Sequence, residues 1–551
     1  MNLRRPDDLA SMLLELKQRS ALSYAQLARR TFTSSSTLHR YCTGTSVPAD
    51  YQTVVRLGEE CGASDDELNE LLRRWRNQEH EAVQRGAEAV PAEPVEEPVP
   101  LGALRSRRGL RPGHAWLPVA ALAVAAVLAA VTIASVPPPE QQEEVPPQQR
   151  SLPDPDAVPA WVRHPAPVEP EMFGVTMNSH SGEMPAFRVG SVRLWDSNTR
   201  WAGLEPARGR YDWSTLDRMV GAAQEEDLPV TFVLGGTPEW AAPDAPSGTY
   251  SDGSRSAPPD DLADWDGFVR RLVERFQGRI DAYELWNSAT DEVVYSGSPR
   301  TLVEMTRRAA DIVHEVDPRA TVVCPSMGEL WSGHGMQRLR EFADLGGYEE
   351  CDAVGIKLHP RSAADPPESA LELLPRVSRT LHERGIVRKL WNTGTRRTLP
   401  NEEQLDEPRA VAHAMRFYLS AFYARPFEVE RMYFYSWGTP TNPVVLQAEG
   451  SPPTAAGLAV ERLQSWLAGT AARGCGRGLD RGLPEGVWEC EFVDGAGQVL
   501  QVRWSPGERQ QETRAGHGAQ YVTDVRGVRT AVGPGDPVPV SGTPVLLTST
   551  R

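Results

Sequence analysis

The sequence predicts a multidomain chain: an all-α head, a single transmembrane helix, a (β/α)8 TIM barrel and a small C-terminal β-sandwich. Three observations carry that expectation. At 551 residues the chain is too long for one hydrophobic core. Its segment Trp116–Val136 (WLPVAALAVAAVLAAVTIASV) is a run of about 20 apolar or small residues without a charge, long enough to cross a bilayer as a helix. Downstream, strand-like apolar runs alternate with helical patterns over about 270 residues, the signature of a barrel built from alternating strands and helices.

Residues 1–78 make the head. Helical periodicity with turn signals places helices at Asp7–Gln18, Tyr24–Thr31, Ser35–Cys42, Asp50–Cys61 and Asp65–Arg76. Ser34 can cap a helix whose Leu38 and Tyr41, three apart, face a core, which turns Ser35, Ser36, His39 and Arg40 outward. The stretch LSYAQLARRTFTSSSTLHRYCTGTSVP resembles the Xre-type helix-turn-helix family, with Ser34, Ser36, Thr37, Leu38, Arg40 and Gly44 at the matching positions. That resemblance implies DNA as a partner, met in the major groove by Ser35, Ser36, Thr37, His39 and Arg40. A helical protein-interaction domain is the other reading of these residues. The formal net charge of −16 argues against nucleic-acid binding by the whole chain, so a DNA-binding face must be local.

Residues 79–115 read as a disordered linker, rich in Ala, Glu, Pro and Val, that ends in a basic juxtamembrane segment. Arg105, Arg107, Arg108 and Arg111 precede the apolar run, whereas Glu140, Glu143 and Glu144 follow it. The positive-inside bias therefore predicts a cell-membrane protein with a cytoplasmic N-terminus and extracytoplasmic C-terminal domains. The run AALAVAAVLAA, Ala120 to Ala130, is rich in small residues that permit close helix packing in lipid, one route to a homodimer that would pair two heads on DNA half-sites. Residues 137–171, Pro-rich and acidic, read as a semi-stiff stalk.

The barrel is expected over residues 172–470. Its strand-like runs are MFGVTMN, SVRLWD, PVTFVLGG, DAYELWN, ATVVCPS, CDAVGIKLH, IVRKLWN and RMYFYSW. In such a barrel the working residues stand at the C-terminal strand ends. The stretch Val192–Val220 (VRLWDSNTRWAGLEPARGRYDWSTLDRMV), followed by TPEWAAP, resembles the clan A glycoside hydrolases, most closely the β-xylosidase-like family 39, and the resemblance runs to about Ser436. The family places an acid/base glutamate at the end of strand four and a nucleophilic glutamate at the end of strand seven. Here those positions hold Ser288, in YELWNSATDE, and Asn392, in KLWNTGT.

A retaining glycosidase needs one carboxylic acid to protonate the leaving oxygen and one carboxylate to trap the oxocarbenium-like centre, about 5 Å apart. Ser288 has no proton to transfer near neutrality, and Asn392 has the shape of a carboxylate without its charge. The expectation is thus a pseudoenzyme with no catalytic residues, whose Asn287, Lys357, His359, Asn392 and Trp437 bind a saccharide or cell-envelope glycan. The resemblance contributes to that set: the strand-six polar residues become Lys357 and His359, and the strand-eight tryptophan is retained as Trp437. Each residue also has a plainer reading: Asn287 and Asn392 as loop caps, Trp437 as core, and Lys357 as either a partner for an acidic substituent or one half of a salt bridge. Asp291, Glu292 and Glu329 are candidates for relocated catalysis, which would make the chain a membrane-anchored glycoside hydrolase. A cell-envelope scaffold is the remaining alternative. No cofactor or metal is expected.

Residues 471–551 alternate apolar and polar positions between Gly/Pro turns, as in VLQVRW and PVPVSGTPVLLTS, and read as the β-sandwich. Of six cysteines, Cys42 and Cys61 fall on the cytoplasmic side and should be reduced. Among the other four, Cys475 and Cys490 are the favoured disulfide pair, closing a Gly-rich loop of about 15 residues.

Overall fold

The computed structural model describes residues 9–74, with short interruptions, and residues 165–549 apart from position 508. The expected linker, the Trp116–Val136 span and the stalk up to position 164 lie outside the described residues. Among the described residues, no helix is long and apolar enough to cross a membrane. The chain divides into two compact units, Met1–Gln148 and Gln149–Arg551.

In the first unit, α1 (Leu9–Arg19), α2 (Tyr24–Thr31) and α3 (Ser35–Thr43) surround a small core. Leu9, Leu13 and Leu16 of α1, Leu27 of α2 and Leu38 and Cys42 of α3 are buried in one cluster with Val54, Leu57, Cys61 and Leu71. The start of α2 is a reciprocal cap: the Gln26 side chain accepts from Ser23 N at 2.9 Å, and Ser23 Oγ accepts from Gln26 N at 3.2 Å. Gly44, at φ +74°, ends α3 in a left-handed conformation that a side chain would resist.

The second unit opens with a short strand, β1 (Ala166–Pro167), followed by the closed parallel barrel. Its strands are β2 (Phe173–Met177), β3 (Ser191–Leu194), β4 (Val230–Val233), β5 (Ala282–Glu284), β6 (Thr321–Met327), β7 (Ala353–Ile356), β8 (Lys389–Asn392) and β9 (Val429–Trp437). Each coincides with one apolar run of the sequence, and β9 pairs with β2 to close the ring. Strands covered on both faces can be apolar throughout, which is why the runs are continuous. The outer helices start on side-chain caps, among them Asp261, Ser298, Ser332 and Asp406. The stretch Val192–Val220 supports this architecture: Glu205 is buried and accepts from Trp201 Nε1 at 2.8 Å and Gly209 N at 2.7 Å, pinning the turn after β3.

The C-terminal strands are β10 (Thr470–Arg477), β11 (Trp488–Asp494), β12 (Val499–Trp504), β13 (Gln511–Arg514), β14 (Ala519–Thr523), β15 (Arg529–Ala531), β16 (Pro537–Val540) and β17 (Val545–Ser549). They form a seven-stranded antiparallel sheet, ordered β1-β10-β11-β12-β17-β14-β15, and a separate β13-β16 pair. The two sheets share a buried cluster, with Val538 and Val540 beside Ala519 and Leu547. Two boundaries differ from the sequence reading. Ala166 and Pro167, assigned to the stalk, pair with Ala472 and Ala471, and the sheet begins at Thr470. Proline content signalled a spacer, but a two-residue edge strand satisfies Pro167, which has no N–H to give a ladder.

Sheet and barrel form one body. Glu368 accepts from Arg416 Nε at 2.7 Å and from Trp504 Nε1 at 2.6 Å, and Phe422 meets Phe492 edge-on at 5.0 Å. Disulfides join Cys475 to Cys490 across β10 and β11, and Cys324 of β6 to Cys351 just before β7. The second was not singled out from sequence, because its partners come together only when β6 and β7 pair.

Candidate functional site

The mouth of the barrel is built from residues at or just past the strand ends. Arg193 of β3 lies inside the barrel, 1% exposed, and forks onto Glu284 of β5 with Nε–Oε2 2.6 Å and Nη2–Oε1 2.9 Å. The same Nη2 donates to Asn287 Oδ1 at 3.0 Å, so Asn287 is held by a charged donor. Ser288 follows at φ +45°, its backbone N bonded to Ser326 Oγ at 3.0 Å. Across the mouth, Tyr435 donates to Asp196 Oδ2 at 2.8 Å.

Lys357, just past β7, sits between Ser288 and Asn392. A Cβ placed on Gly328 would lie 3.6 Å from Lys357 Cδ and 4.0 Å from Ser288 Oγ, so these two side chains border the same space. At its other end, Lys357 Nζ donates to the carbonyl of Thr393, beside Asn392, at 3.2 Å. The lysine is buried at 3% exposure. It makes no ion pair with any described carboxylate, so the salt-bridge reading of Lys357 falls away. Burial, with a further push from the Arg193 charge, brings its ammonium down to about 7, while Glu284 and Asp196 pull the other way.

Asn392 is fully buried and its amide is used at both ends. Oδ1 accepts from Leu358 N at 2.9 Å, and Nδ2 donates to Leu358 O at 3.0 Å. A carboxylate accepts but cannot donate, so asparagine supports this backbone contact where aspartate could not. Asn392→Asp should therefore lose about 1–3 kcal/mol at neutral pH through the stranded carbonyl. The folded-state carboxyl pKa would be raised, so the deficit should be complete above that pKa and shrink as pH falls; urea melts at pH 7 and pH 4 would check it. An equal deficit at both values would remove the hydrogen-bond explanation.

His359 is buried too, with Nδ1 2.7 Å from the Pro360 carbonyl. Burial pushes the ring down to about 4, so it is neutral, with the proton on Nδ1 and Nε2 an acceptor that no described protein group meets. Trp437 requires a correction: it is completely buried in the main core, with Nε1 bonded to Gln447 Oε1 at 3.0 Å, and offers no face to a sugar. The side-chain carboxylates weighed for relocated catalysis are spread out in role. Asp291 is 3.4 Å from Arg397 Nε, Glu292 is exposed, and Glu329 is half-buried at φ +51°. Sequence reasoning missed Arg193 and Glu284, although a charged residue inside each of two buried strand runs was a signal, since buried charges must be paired.

On the head, α3 places His39 and Arg40 at the surface and Thr37 half-buried, while Leu38 faces the core. Arg40 Nη2 donates to Thr37 Oγ1 at 3.3 Å, and the ring of His39 meets Tyr24 edge-on at 5.5 Å. Ser35 and Ser36 lie in the first turn of α3, and their side chains are outside the described residues.

These features describe a chain that joins a small helical head to a closed parallel (β/α)8 barrel. Residues 8–71 match the family model described as a helix-turn-helix domain. The barrel unit is similar in fold to a family 39 glycoside hydrolase from the gut symbiont Bacteroides cellulosilyticus WH2, at TM-score 0.53 and 17% identity over 69% of this chain and 81% of that one. It is also similar to a glucosidase from Croceicoccus marinus, at TM-score 0.51 and 16% identity over 70% of this chain and 97% of that one. No curated protein matches the chain.

Proposed function

We propose that the chain is a single-pass membrane transcriptional regulator: its head binds DNA in the cytoplasm, and its barrel, outside the membrane, binds a saccharide without hydrolysing it. The observation that carries this reading is the absence of a carboxylate at both expected positions of the mouth. Where two carboxylates would stand, there is a serine and a backbone-tied asparagine, with the Lys357 ammonium between them. A glycosidic bond breaks through an oxocarbenium-like centre, and a buried cation beside that centre raises the barrier instead of lowering it. The same cation suits an acidic sugar substituent, with Asn287, Ser288 and His359 left for hydroxyl groups. The cysteines support the assignment of sides: free Cys42 and Cys61 belong in a reducing compartment, the two disulfides in an oxidising one.

The test has two arms on the full-length chain. Incubated with aryl xylosides and glucosides, it should show no turnover above buffer. Hydrolysis that disappears when Asp291, Glu292 or Glu329 is changed would replace this reading with a relocated catalytic pair. Genome-wide mapping of DNA bound to the tagged chain should return discrete sites, and a featureless profile would remove the regulator.

A further inference from the structure

Every candidate ligand-facing residue of the mouth named above, Ser288 excepted, is buried. Trp195, just past β3, is buried as well, and the loop 243–256, which follows β4, packs against it. Tyr250 of this loop accepts from Trp195 Nε1 at 2.8 Å and packs edge-on against the Trp195 ring at 5.4 Å. The Arg200 guanidinium lies 3.9 Å from the centre of the Tyr250 ring and 5.3 Å from that of Trp195. Arg200 is 6% exposed and forms an ion pair with Asp252 of the same loop. Its other carboxylate partner is Asp196, at 3.4 Å, which receives the Tyr435 hydroxyl. Tyr435 in turn borders Gly394 together with Lys357 Nζ: a Cβ on that glycine would be 3.9 Å from Tyr435 and 3.8 Å from the ammonium. A chain of three contacts, Asp252–Arg200, Arg200–Asp196 and Asp196–Tyr435, thus runs from the loop to the side chain that borders Gly394 together with Lys357.

An aromatic ring and a guanidinium side by side make a platform for one kind of guest, a flat or ring-shaped group that carries an anion: the ring stacks, and the anion takes the fork of the arginine. In this structure the guest is the protein itself, with Tyr250 as the ring and Asp252 as the carboxylate. We propose that loop 243–256 is a built-in ligand of the Trp195–Arg200 platform, displaced when a saccharide bearing a carboxylate takes the places of Tyr250 and Asp252. This inference rests on the saccharide-binding reading and adds the class of sugar and the element that moves.

The other ties of the loop gather at its base, where Arg255 pairs with Glu239 and donates to Ser247 Oγ at 2.8 Å and Ser256 bonds Ser296, so the displaceable part is the tip that carries Tyr250 and Asp252. Gly248 N donates to Ser254 O at 2.7 Å and Arg255 N to Thr237 O at 2.7 Å, which hold the base of the loop, while Asp244, Ser247 and Ser251 are exposed. The Arg200–Asp252 pair is largely buried, so the loop can leave only if the ligand brings an equivalent carboxylate to the guanidinium, which makes the exchange selective for an anion.

The experiment compares the full-length wild-type chain with Asp252→Asn, using xylotriose and the same trisaccharide substituted with glucuronic acid as probes. Hydrogen exchange at Gly248 and Arg255, set against unchanged exchange in β2–β9, reports the loop independently of any ligand and shows that the variant is folded. The expected result is exchange at least tenfold faster in the loop of Asp252→Asn, tighter binding of the acidic probe by at least tenfold, and loop exchange in the wild type accelerated by the acidic probe but not by xylotriose. Binding of either probe with the loop still protected, or equal affinities of wild type and variant, would overturn the displaced-loop inference while leaving saccharide binding in place. No binding of either probe to either protein, with the loop of the variant opened, would overturn both.

Discussion

Replacing Arg193 with methionine is expected to destabilise the barrel by about 3–5 kcal/mol, the usual cost of leaving one partner of a buried ion pair without its counter-charge. Arg193 and Glu284 are 1% and 0% exposed, and the guanidinium also holds Asn287, so the substitution strands a carboxylate and frees an amide at once. The double variant Arg193→Met, Glu284→Leu removes both charges and should recover most of the loss, because well-packed apolar groups commonly replace such a pair without penalty. Urea unfolding of the two variants provides the measurement. A single variant as stable as the wild type would mean that water reaches Glu284 in solution, and the description of the mouth as a closed, low-dielectric space would fail with it.

The barrel was legible because its signal is repeated. Eight apolar runs at helical separations leave few other topologies, and each run became one strand of the ring. The site was legible only where it is local. Ser288 and Asn392 could be placed from the words around them, and the lysine between them could be named from CDAVGIKLH. What Lys357 does depends on Gly328 from one strand end and Thr393 from another, and no local pattern announces that meeting. Trp437 shows the opposite error: a tryptophan at a strand end can face the mouth or the core, and only the position of Gln447, ten residues on, decides for the core. The Cys324–Cys351 disulfide was hidden for the same reason, since its register is set by the pairing of β6 with β7.

Lys357→Met should stabilise the protein in acid and neutral solution and lose that advantage in base. A lysine in the unfolded chain titrates near 10.4. In the fold, burial and the Arg193 charge hold Lys357 down to about 7. Between those values the unfolded chain carries a proton that the folded chain lacks, so the stability of the wild type rises with pH across this window. Below about 7 both forms are protonated and the penalty of a buried, unpaired ammonium is present in full, at most roughly 5 kcal/mol for a shift of this size. Methionine has a similar length and no charge, so the variant should be more stable than the wild type at pH 6, with the two curves converging toward pH 10. Urea midpoints measured at pH 6, 8 and 10 would resolve the slope. Parallel curves would show that Lys357 keeps an ordinary, compensated ammonium in the fold, and the description of the mouth as holding an unpaired, unfavourable charge would fail. Convergence would instead leave a mouth that stores an unfavourable charge, and the same uncompensated ammonium is what an acidic sugar would neutralise.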